Sequence, residues 1–394
     1  MKKEKQNINI PWDDFLVAAV CTENAKDLTH SLYRYPASMS PHIARAVILA
    51  LTKRGDTIID PFCGGGTTLI ESLGLGRKVI GNDISPLAYF ISKAKATPLN
   101  EKELNILRGW YKSMCNKLAN KSKYRLVPHK LINGERVALK THSVLIYIRN
   151  EALKVKNNNV RNFALLIVLN IAQKCFDNRL HKPTPAYLIN SFIRLGKYAI
   201  DVIDEYSMLL KINFNKYSKS VLQVKQMDSA KITVKTKLTK KATLILTSPP
   251  YPGVHILYNK WQLYGRRETY LPYELLNINS KHKESYFTLG SRKNKNDEYF
   301  IKLENIFTSL KKLINNDAYV VQVISFNKSC EQLRKFRETM IKAGYKEISP
   351  PTSTESYLTR KVPNRKWYNA RRKGPDSSSE YIFIHQIKNR RKTQ

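Results

Sequence analysis

Acidic side chains are scarce in this chain: 31 Asp and Glu stand against 68 Lys and Arg, giving a formal net charge of +37 over 394 residues. A surface so short of negative charge repels itself unless its partner is a polyanion, and nucleic acid is the first candidate. Paired cysteines are missing as well. Cys21, Cys63, Cys115, Cys175 and Cys330 are widely spaced and odd in number, with no C-x-x-C pair and no His-rich partner segment. That pattern excludes a disulfide framework and a zinc ribbon, and it fits the reducing cytoplasm. Long apolar runs are absent too. The longest, Phe163 to Leu169, is far short of the ~20 residues that span a bilayer. The basic N-terminus, MKKEKQNINIPWDDF, carries no apolar h-region, and no Lys-rich amphipathic helix with a Trp/Phe face is evident. The expectation is no signal peptide, no membrane anchor and a cytoplasmic protein. What remains is globular: 42% apolar and 25% charged residues allow a proper core, and the length suits two structural units or one large domain carrying an insertion.

A short helix over Ile43–Leu51 precedes a buried strand, Asp56-Thr-Ile-Ile-Asp60, which runs straight into Pro61-Phe-Cys-Gly-Gly-Gly-Thr-Thr68. A helix over Leu69–Leu75 follows, then a strand over Lys78–Asp83, then a helix start with Ser85 as N-cap and Pro86 in the first turn. Alternation of strand and helix predicts right-handed βαβ crossovers and an α/β fold with a parallel sheet. Residues 98–217 read as a mainly helical insertion, with periods over Lys102–Ala119, Val160–Phe176 and Ser191–Leu210. Its first part is basic: residues 101–160 hold thirteen Lys/Arg against four Asp/Glu, a local net of +9. Strands return at Val221–Asp228 and Ala242–Thr247, the second ending in Ser248-Pro-Pro-Tyr251. Beyond lie a long loop over 252–296, a helix over Asp297–Ile314, a strand over Ala318–Ile324 and a helix over Leu333–Ala343. A strand at Tyr345–Ile348, a basic loop from Ser353 to Ser379 and a last strand, Tyr381–Ile387, complete the pattern. The division is therefore 1–97 as the cofactor-binding half, 98–217 as the helical insertion and 218–394 as the catalytic half.

A strand that ends in Asp60 and turns through Gly64, Gly65 and Gly66 into a helix exposes backbone N–H groups and leaves no side chains in the way, so an adenosine-bearing cofactor can lie across the strand ends. Asp83, 23 residues on and at the end of the next strand, is placed to accept both hydroxyls of a ribose. The loop lacks the Gly-Lys-Ser/Thr of a P-loop and the G-x-G-x-x-G of a dinucleotide fingerprint. A cofactor without a pyrophosphate, such as S-adenosylmethionine, is the better match. Glycines at such a turn can also serve geometry alone.

In Ser248-Pro249-Pro250-Tyr251 the two prolines end the strand and stiffen the backbone, the Ser oxygen and the Pro249 carbonyl are acceptors, and Tyr251 offers a π-face. That set can grip a flat amine, drawing its nitrogen lone pair out of conjugation toward an electrophilic methyl. The plain alternative is a rigid Pro-Pro turn.

Asp60-Pro-Phe-Cys-Gly-Gly-Gly-Thr-Thr68 with Asp83, and Thr247-Ser-Pro-Pro-Tyr251, resemble the cofactor and catalytic motifs of the amino-directed DNA methyltransferases, which make N4-methylcytosine or N6-methyladenine. His30-Ser-Leu-Tyr-Arg-Tyr-Pro-Ala37 and Pro41 resemble the family's segment beside the methionine end of the cofactor. The resemblance covers about residues 30–97 and 220–387. It implies a Rossmann-like methyltransferase fold, a mostly parallel seven-stranded sheet whose last strand is antiparallel, and S-adenosyl-L-methionine as cofactor. It further implies that Tyr35, Pro36, Asp60, Phe62, Cys63, Gly64, Gly66, Thr67, Thr68, Asp83, Ile84 and Asp228 form the cofactor site, with Cys63 packing in the loop. Ser248, Pro249, Pro250 and Tyr251 would hold the target base, and a leading Ser leans toward cytosine N4. The motif order departs from the members in which these spellings are most typical, because here the glycine motif comes first, about 180 residues ahead of the corner. The target-recognition region is therefore open among the insertion, the loop after Tyr251 and the basic loop.

The sulfonium methyl is already electrophilic, so alignment and exclusion of water suffice, without a metal. No Pro-Cys pair is present to serve a cytosine C5 enzyme. The base must be flipped out of double-stranded DNA, and Arg266, Arg267, Lys361, Arg365, Lys366, Arg371, Arg372 and Lys373, interleaved with Trp367 and Tyr368, suit phosphate contacts and stacking. Any one of these charge runs could equally be a solvated face. The expected protein is a cytosine-N4 DNA methyltransferase of a restriction-modification system, sharing its site with a cognate endonuclease without a stable complex. The alternatives are an N6-adenine DNA enzyme, an RNA base amino-methyltransferase, and a nucleic-acid-binding protein with a decayed cofactor pocket.

Overall fold

The computed structural model describes residues 10–21, 23, 27–120, 139–177, 179, 181–215, 217–218, 220–233, 236, 238, 240–252, 260–263, 267–278, 296–326, 329–350, 355–362 and 378–388. β-Branched and other apolar residues make the central strands β1 (Thr57–Asp60), β2 (Lys78–Asp83), β4 (Ala242–Thr247) and β7 (Ile314–Ile324), and the more polar β3 (Leu222–Gln226) lies at the edge. These five are mutually parallel in the order β3-β2-β1-β4-β7. β10 (Ser378–Ile387) then runs antiparallel between β7 and β8 (Tyr345–Glu347). The strand order, with an antiparallel strand inserted next to last, is the Rossmann-like methyltransferase arrangement that the resemblance implies, but the sheet has eight strands rather than the expected seven, because a further edge strand pairs with β10.

Alternate residues face opposite sides of the sheet. Ile58, Leu244, Leu246, Val321 and Val323 join the core on one side, and Ile59, Ile245, Val320 and Phe383 join the core on the other. The first side is covered by α2 (Pro41–Leu51), α3 (Thr67–Gly74) and α4 (Pro86–Ala96), the second by α10 (Asn296–Leu310) and α11 (Ser329–Lys342). Sequential strands move outward from β1 to β3, and the chain then crosses to β4 on the other flank of β1. The strand order thus reverses between β1 and β4, and in open α/β sheets the carboxyl ends of the strands at such a switch point are where ligands bind.

Residues 98–217 contain α5 (Glu101–Ala119), α6 (Leu139–Leu153), α7 (Asn158–Phe176) and α8 (Pro185–Phe214). α5 starts at a capping box in which Asn100 and Glu103 exchange side-chain and backbone bonds. α7 holds the longest apolar run and is buried nearly all round, because it lies against α4, α5, α6 and α8. Its apolar side chains and those of α8 belong to the same core as the sheet's first face. Gln173 on α7 fixes this contact, accepting from the Arg34 backbone N–H at 3.0 Å and donating to the Arg34 carbonyl at 2.9 Å.

Several local expectations are corrected. α1 (Trp12–Val20) and α6 were not read from the sequence. The stretch expected as one long loop after Pro252 holds an antiparallel hairpin, β5 (Trp261–Leu263) with β6 (Arg267–Thr269), and α9 (Leu271–Leu275). Three-residue strands are too short for a period to show. The hairpin is fixed from outside, through the Trp261 indole N–H to Tyr33 Oη at 3.0 Å and the Gln262 N–H to Asp177 Oδ1 at 3.1 Å. The basic loop expected from Ser353 is interrupted by β9 (Leu358–Val362), an edge strand of mainly polar residues held by its backbone ladder to β10 and by the Arg360–Glu380 ion pair. The helix expected to reach Ile314 stops at Leu310, because Ile314 pairs with Ala242 on β4. Among the described residues, no helix is long and apolar enough to cross a membrane.

Candidate active site

The tip of β1 is organised by one buried carboxylate. Asp60 Oδ1 accepts from the Phe62 N–H at 3.1 Å and from the Thr247 hydroxyl at 2.6 Å. Burial pushes its carboxyl up to about 6, against the pull of those donors. The turn that follows closes through Gly66 N–H to the Cys63 carbonyl at 2.7 Å and Cys63 N–H to the Asn82 carbonyl at 2.9 Å. Gly64 (φ +48°) and Gly66 (φ +86°) adopt left-handed backbone, and a Cβ on Gly65 would stand 2.7 Å from the Tyr35 Cβ. The segment after the 3-10 turn His30–Leu32 thus lies directly on the glycine loop, with Tyr35 buried and Pro36 half-buried. Thr67 and Thr68 are buried at the start of α3, with hydroxyls directed to the Met39 carbonyl (3.3 Å) and the Leu246 carbonyl (3.4 Å). Phe62 is half-buried. Cys63 is packing: burial pushes its thiol well up, and Sγ stands 3.6 Å from Ser92 Oγ.

Asp83 closes β2 beside this loop. Its Oδ2 accepts from the Gly64 N–H and its Oδ1 from the Ser85 N–H, both at 2.9 Å. Burial pushes this carboxyl up to about 6, opposed by the N–H groups of Ser85, Gly64 and Ile84. The carboxylate keeps acceptor capacity beyond these N–H bonds, so a ribose hydroxyl could donate to it. The loop 61–68 carries no Lys or Arg. An uncharged ribose suits this donor set better than a pyrophosphate, and the residues present fit S-adenosylmethionine. Met227, at the end of β3, donates its N–H to the Asp83 carbonyl at 3.2 Å, and Asp228 caps a 3-10 turn by accepting from the Ala230 N–H. Ile84 is half-buried between the β2 tip and Ser85.

Asn82 is a hub that sequence reasoning missed. Its side-chain amide donates to the carbonyls of Pro61 (3.3 Å) and Met227 (3.0 Å) and lies 3.1 Å from Ser229 Oγ, tying together the tips of β1 and β3. Its position next to Asp83 was the available signal. Thr247 heads the Thr247-Ser-Pro-Pro-Tyr251 motif, but sequence reasoning assigned it no role of its own.

The Ser-Pro-Pro-Tyr corner caps β4. Ser248 Oγ lies 2.9 Å from the Val323 carbonyl and 3.3 Å from the Tyr251 hydroxyl. Tyr251 is 4% exposed and donates to Glu380 Oε1 at 2.6 Å, while Tyr299 donates to the Pro250 carbonyl at 2.9 Å. Pro249 is buried and Pro250 half-buried. The corner and the glycine loop meet through the Thr247–Asp60 bond, because β1 and β4 are neighbours with Ile59 opposite Ile245. Of the basic residues, Lys361 is exposed on β9 and Arg267 opens β6. Arg266, Arg365, Lys366, Arg371, Arg372 and Lys373 lie outside the described residues.

Comparison with known proteins agrees with this geometry in the N-terminal part of the chain. Residues 1–94 match the family described as DNA methylase, of N6 and N4 specificity. The chain is 44% identical over 86 residues to the Type II methyltransferase M.MvaI of Kocuria varians, which covers 21% of this chain and 19% of that protein. It is 34% identical over 123 residues to the tRNA (guanine(10)-N2)-dimethyltransferase of Methanocaldococcus jannaschii, covering 27% of this chain and 34% of that protein. The matches thus span between a fifth and a third of the length of these two relatives. Among solved structures, TrmN from Thermus thermophilus is similar at 10% identity and a TM-score of 0.34, covering 89% of this chain and 50% of that one.

Proposed function

We infer that this chain, a member of the amino-directed DNA methyltransferase family, moves a methyl group from S-adenosylmethionine to an exocyclic amine of a nucleic-acid base. N4 of cytosine in double-stranded DNA is the favoured acceptor. The reading rests chiefly on one observation: the Thr247–Asp60 hydrogen bond sets the acceptor-rich corner of β4 beside the glycine loop of β1.

When bound, the cofactor supplies an electrophilic sulfonium methyl. The chain's own residues bind and orient. Asp83 would receive the ribose hydroxyls, and Tyr35 with the glycine loop would wall the methionine end. Ser248 Oγ and the Pro249 carbonyl would accept the N–H bonds of the target amine, turning the nitrogen lone pair away from the ring and toward the methyl. Burial of the corner excludes water. A place in a restriction-modification system, shared with an endonuclease acting on the same site, is supported by the Type II methyltransferase relative.

A second reading, an RNA base amine as acceptor, is favoured by the match to the tRNA guanine-N2 enzyme. One experiment separates the readings. The protein is incubated with labelled-methyl cofactor and either DNA or RNA, the polymer is digested to nucleosides, and the labelled product is identified by mass. N4-methylcytosine from DNA is expected. N6-methyladenine would correct the base, a labelled ribonucleoside would correct the polymer, and no label in either would end the proposal. Ser248→Ala should lower methyl transfer by roughly a hundred-fold or more while cofactor affinity stays near the parent value.

A further inference from the structure

β10 extends past the end of its partner strand: Tyr381 pairs with Ile324, the last residue of β7, so Glu380 stands beyond it, above the carboxyl edge of the sheet. There it is matched across the hairpin with Arg360 of β9. Glu380 is 3% exposed, and an acidic side chain so buried requires partners. Its two oxygens are divided. Oε1 accepts from the Tyr251 hydroxyl at 2.6 Å, and Oε2 faces Arg360 Nε at 3.4 Å.

This division decides where the protons of the catalytic corner go. Ser248 and Tyr251 have one hydroxyl proton each. The Ser248 proton has the Val323 carbonyl at 2.9 Å, a shorter partner than the Tyr251 oxygen at 3.3 Å. The Tyr251 proton goes to Glu380. Ser248 Oγ is then left with lone pairs and no inward-pointing hydrogen, the state required to accept from an amine. Ser248 Oγ, 3.3 Å from the Tyr251 hydroxyl, is itself within reach as an acceptor for that proton, and a phenol donating there would occupy the lone pair meant for the substrate.

We propose that Glu380 is a positioning residue for methyl transfer, which keeps Ser248 a pure hydrogen-bond acceptor by taking the Tyr251 hydroxyl, with Arg360 holding the carboxylate in place. The proposal rests on the amino-methyltransferase reading above.

Glu380→Gln is the sharpest probe. Arg360 draws the new carbonyl oxygen toward itself, which turns the amide NH2 toward Tyr251. The phenol then becomes an acceptor, and its proton turns to Ser248. The expected result with labelled-methyl cofactor and unmethylated genomic DNA is a fall in kcat of roughly ten- to a hundred-fold, with KM for cofactor and thermal midpoint close to the parent. Tyr251→Phe keeps the ring and deletes the proton at issue, so it should cost only a few-fold, and adding Glu380→Gln to it should lower kcat no further. A second readout needs no turnover. The tyrosine doublet in ultraviolet resonance Raman, taken as a difference against Tyr251→Phe, should change from donor to acceptor character in Glu380→Gln.

Equal kcat in parent and Glu380→Gln would overturn the proposal. So would a loss that persists undiminished in the Tyr251→Phe background, or a Raman difference that keeps its donor form. If the parent protein labels no exocyclic amine in DNA or RNA, the functional reading fails instead, and the Raman comparison still decides whether Glu380 directs the Tyr251 proton.

Discussion

Asp83 is both the expected ribose ligand and a carboxylate that burial holds at about 6, so cofactor affinity should follow its ionisation. The ribose hydroxyls need an acceptor, and only the charged form offers both oxygens as acceptors. Calorimetric titration from about pH 5 to about pH 8 should show affinity weakening as the pH drops through about 6. Asp83→Asn should weaken binding by roughly ten- to a hundred-fold at neutral pH and flatten that profile. A slope that survives the substitution would assign it to Asp60, whose carboxyl burial also pushes up to about 6. Tyr251 carries a different lesson. Its ring is buried in the core that also holds Tyr299, Phe300 and Phe326, so Tyr251→Ala should cost about 3–5 kcal/mol of stability in denaturant titration as well as activity. Phe is the informative replacement. The spelling Ser-Pro-Pro-Tyr was legible as a motif, yet nothing local to it showed that the phenol is committed to a carboxylate 129 residues away.

Among the strands, β10 contains the least expected group. His385 is 1% exposed, packs near Phe336 and Phe383, and finds no hydrogen-bond partner for either ring nitrogen among the described residues. Burial, with the Arg337 charge adding to it, pushes its pKa down to about 3 from an ordinary 6.5. The unfolded chain therefore takes up a proton that the folded one refuses. The stabilising effect of keeping the ring neutral is whole above pH 6.5 and is lost as the pH falls from there toward 3. Asp60 and Asp83 act with the opposite sign, since their raised values let the folded chain bind protons more readily between their ordinary 3.8 and about 6. The difference between the parent and His385→Phe isolates the histidine. Urea melts should show the variant gaining relative to the parent by about 1 kcal/mol per pH unit on going below pH 6.5, and parallel curves would contradict the assignment. Strands with continuous apolar runs, such as β4 and β7, were readable from their side chains, whereas β9 has one buried residue in five and exists because β10 offers it a backbone ladder. Periodicity reports burial, and an edge strand need not be buried.

For the molecule as a whole, the excess of 37 positive charges predicts association with DNA dominated by counterion release. Raising salt from about 50 to about 200 mM should cost orders of magnitude in affinity in fluorescence anisotropy, with a log–log slope of several units, and a flat response would detach the charge from nucleic acid. Chain order alone supplied the fold class, the glycine turn after β1 and the proline corner after β4, because each is carried by short-range signals: alternation, N-caps such as Ser85, glycines where left-handed backbone is needed, and prolines that end a strand. Contacts between distant segments were hidden from it. Asp60 and Thr247 are 187 positions apart and meet because β1 and β4 are register partners, and Glu380 reaches Tyr251 because β10 enters the sheet antiparallel and overruns β7. Hydrogen bonds act over about 3 Å of space and are indifferent to separation along the chain. Folding alone brings such partners within that reach, and with them the protonation pattern of the Ser-Pro-Pro-Tyr corner.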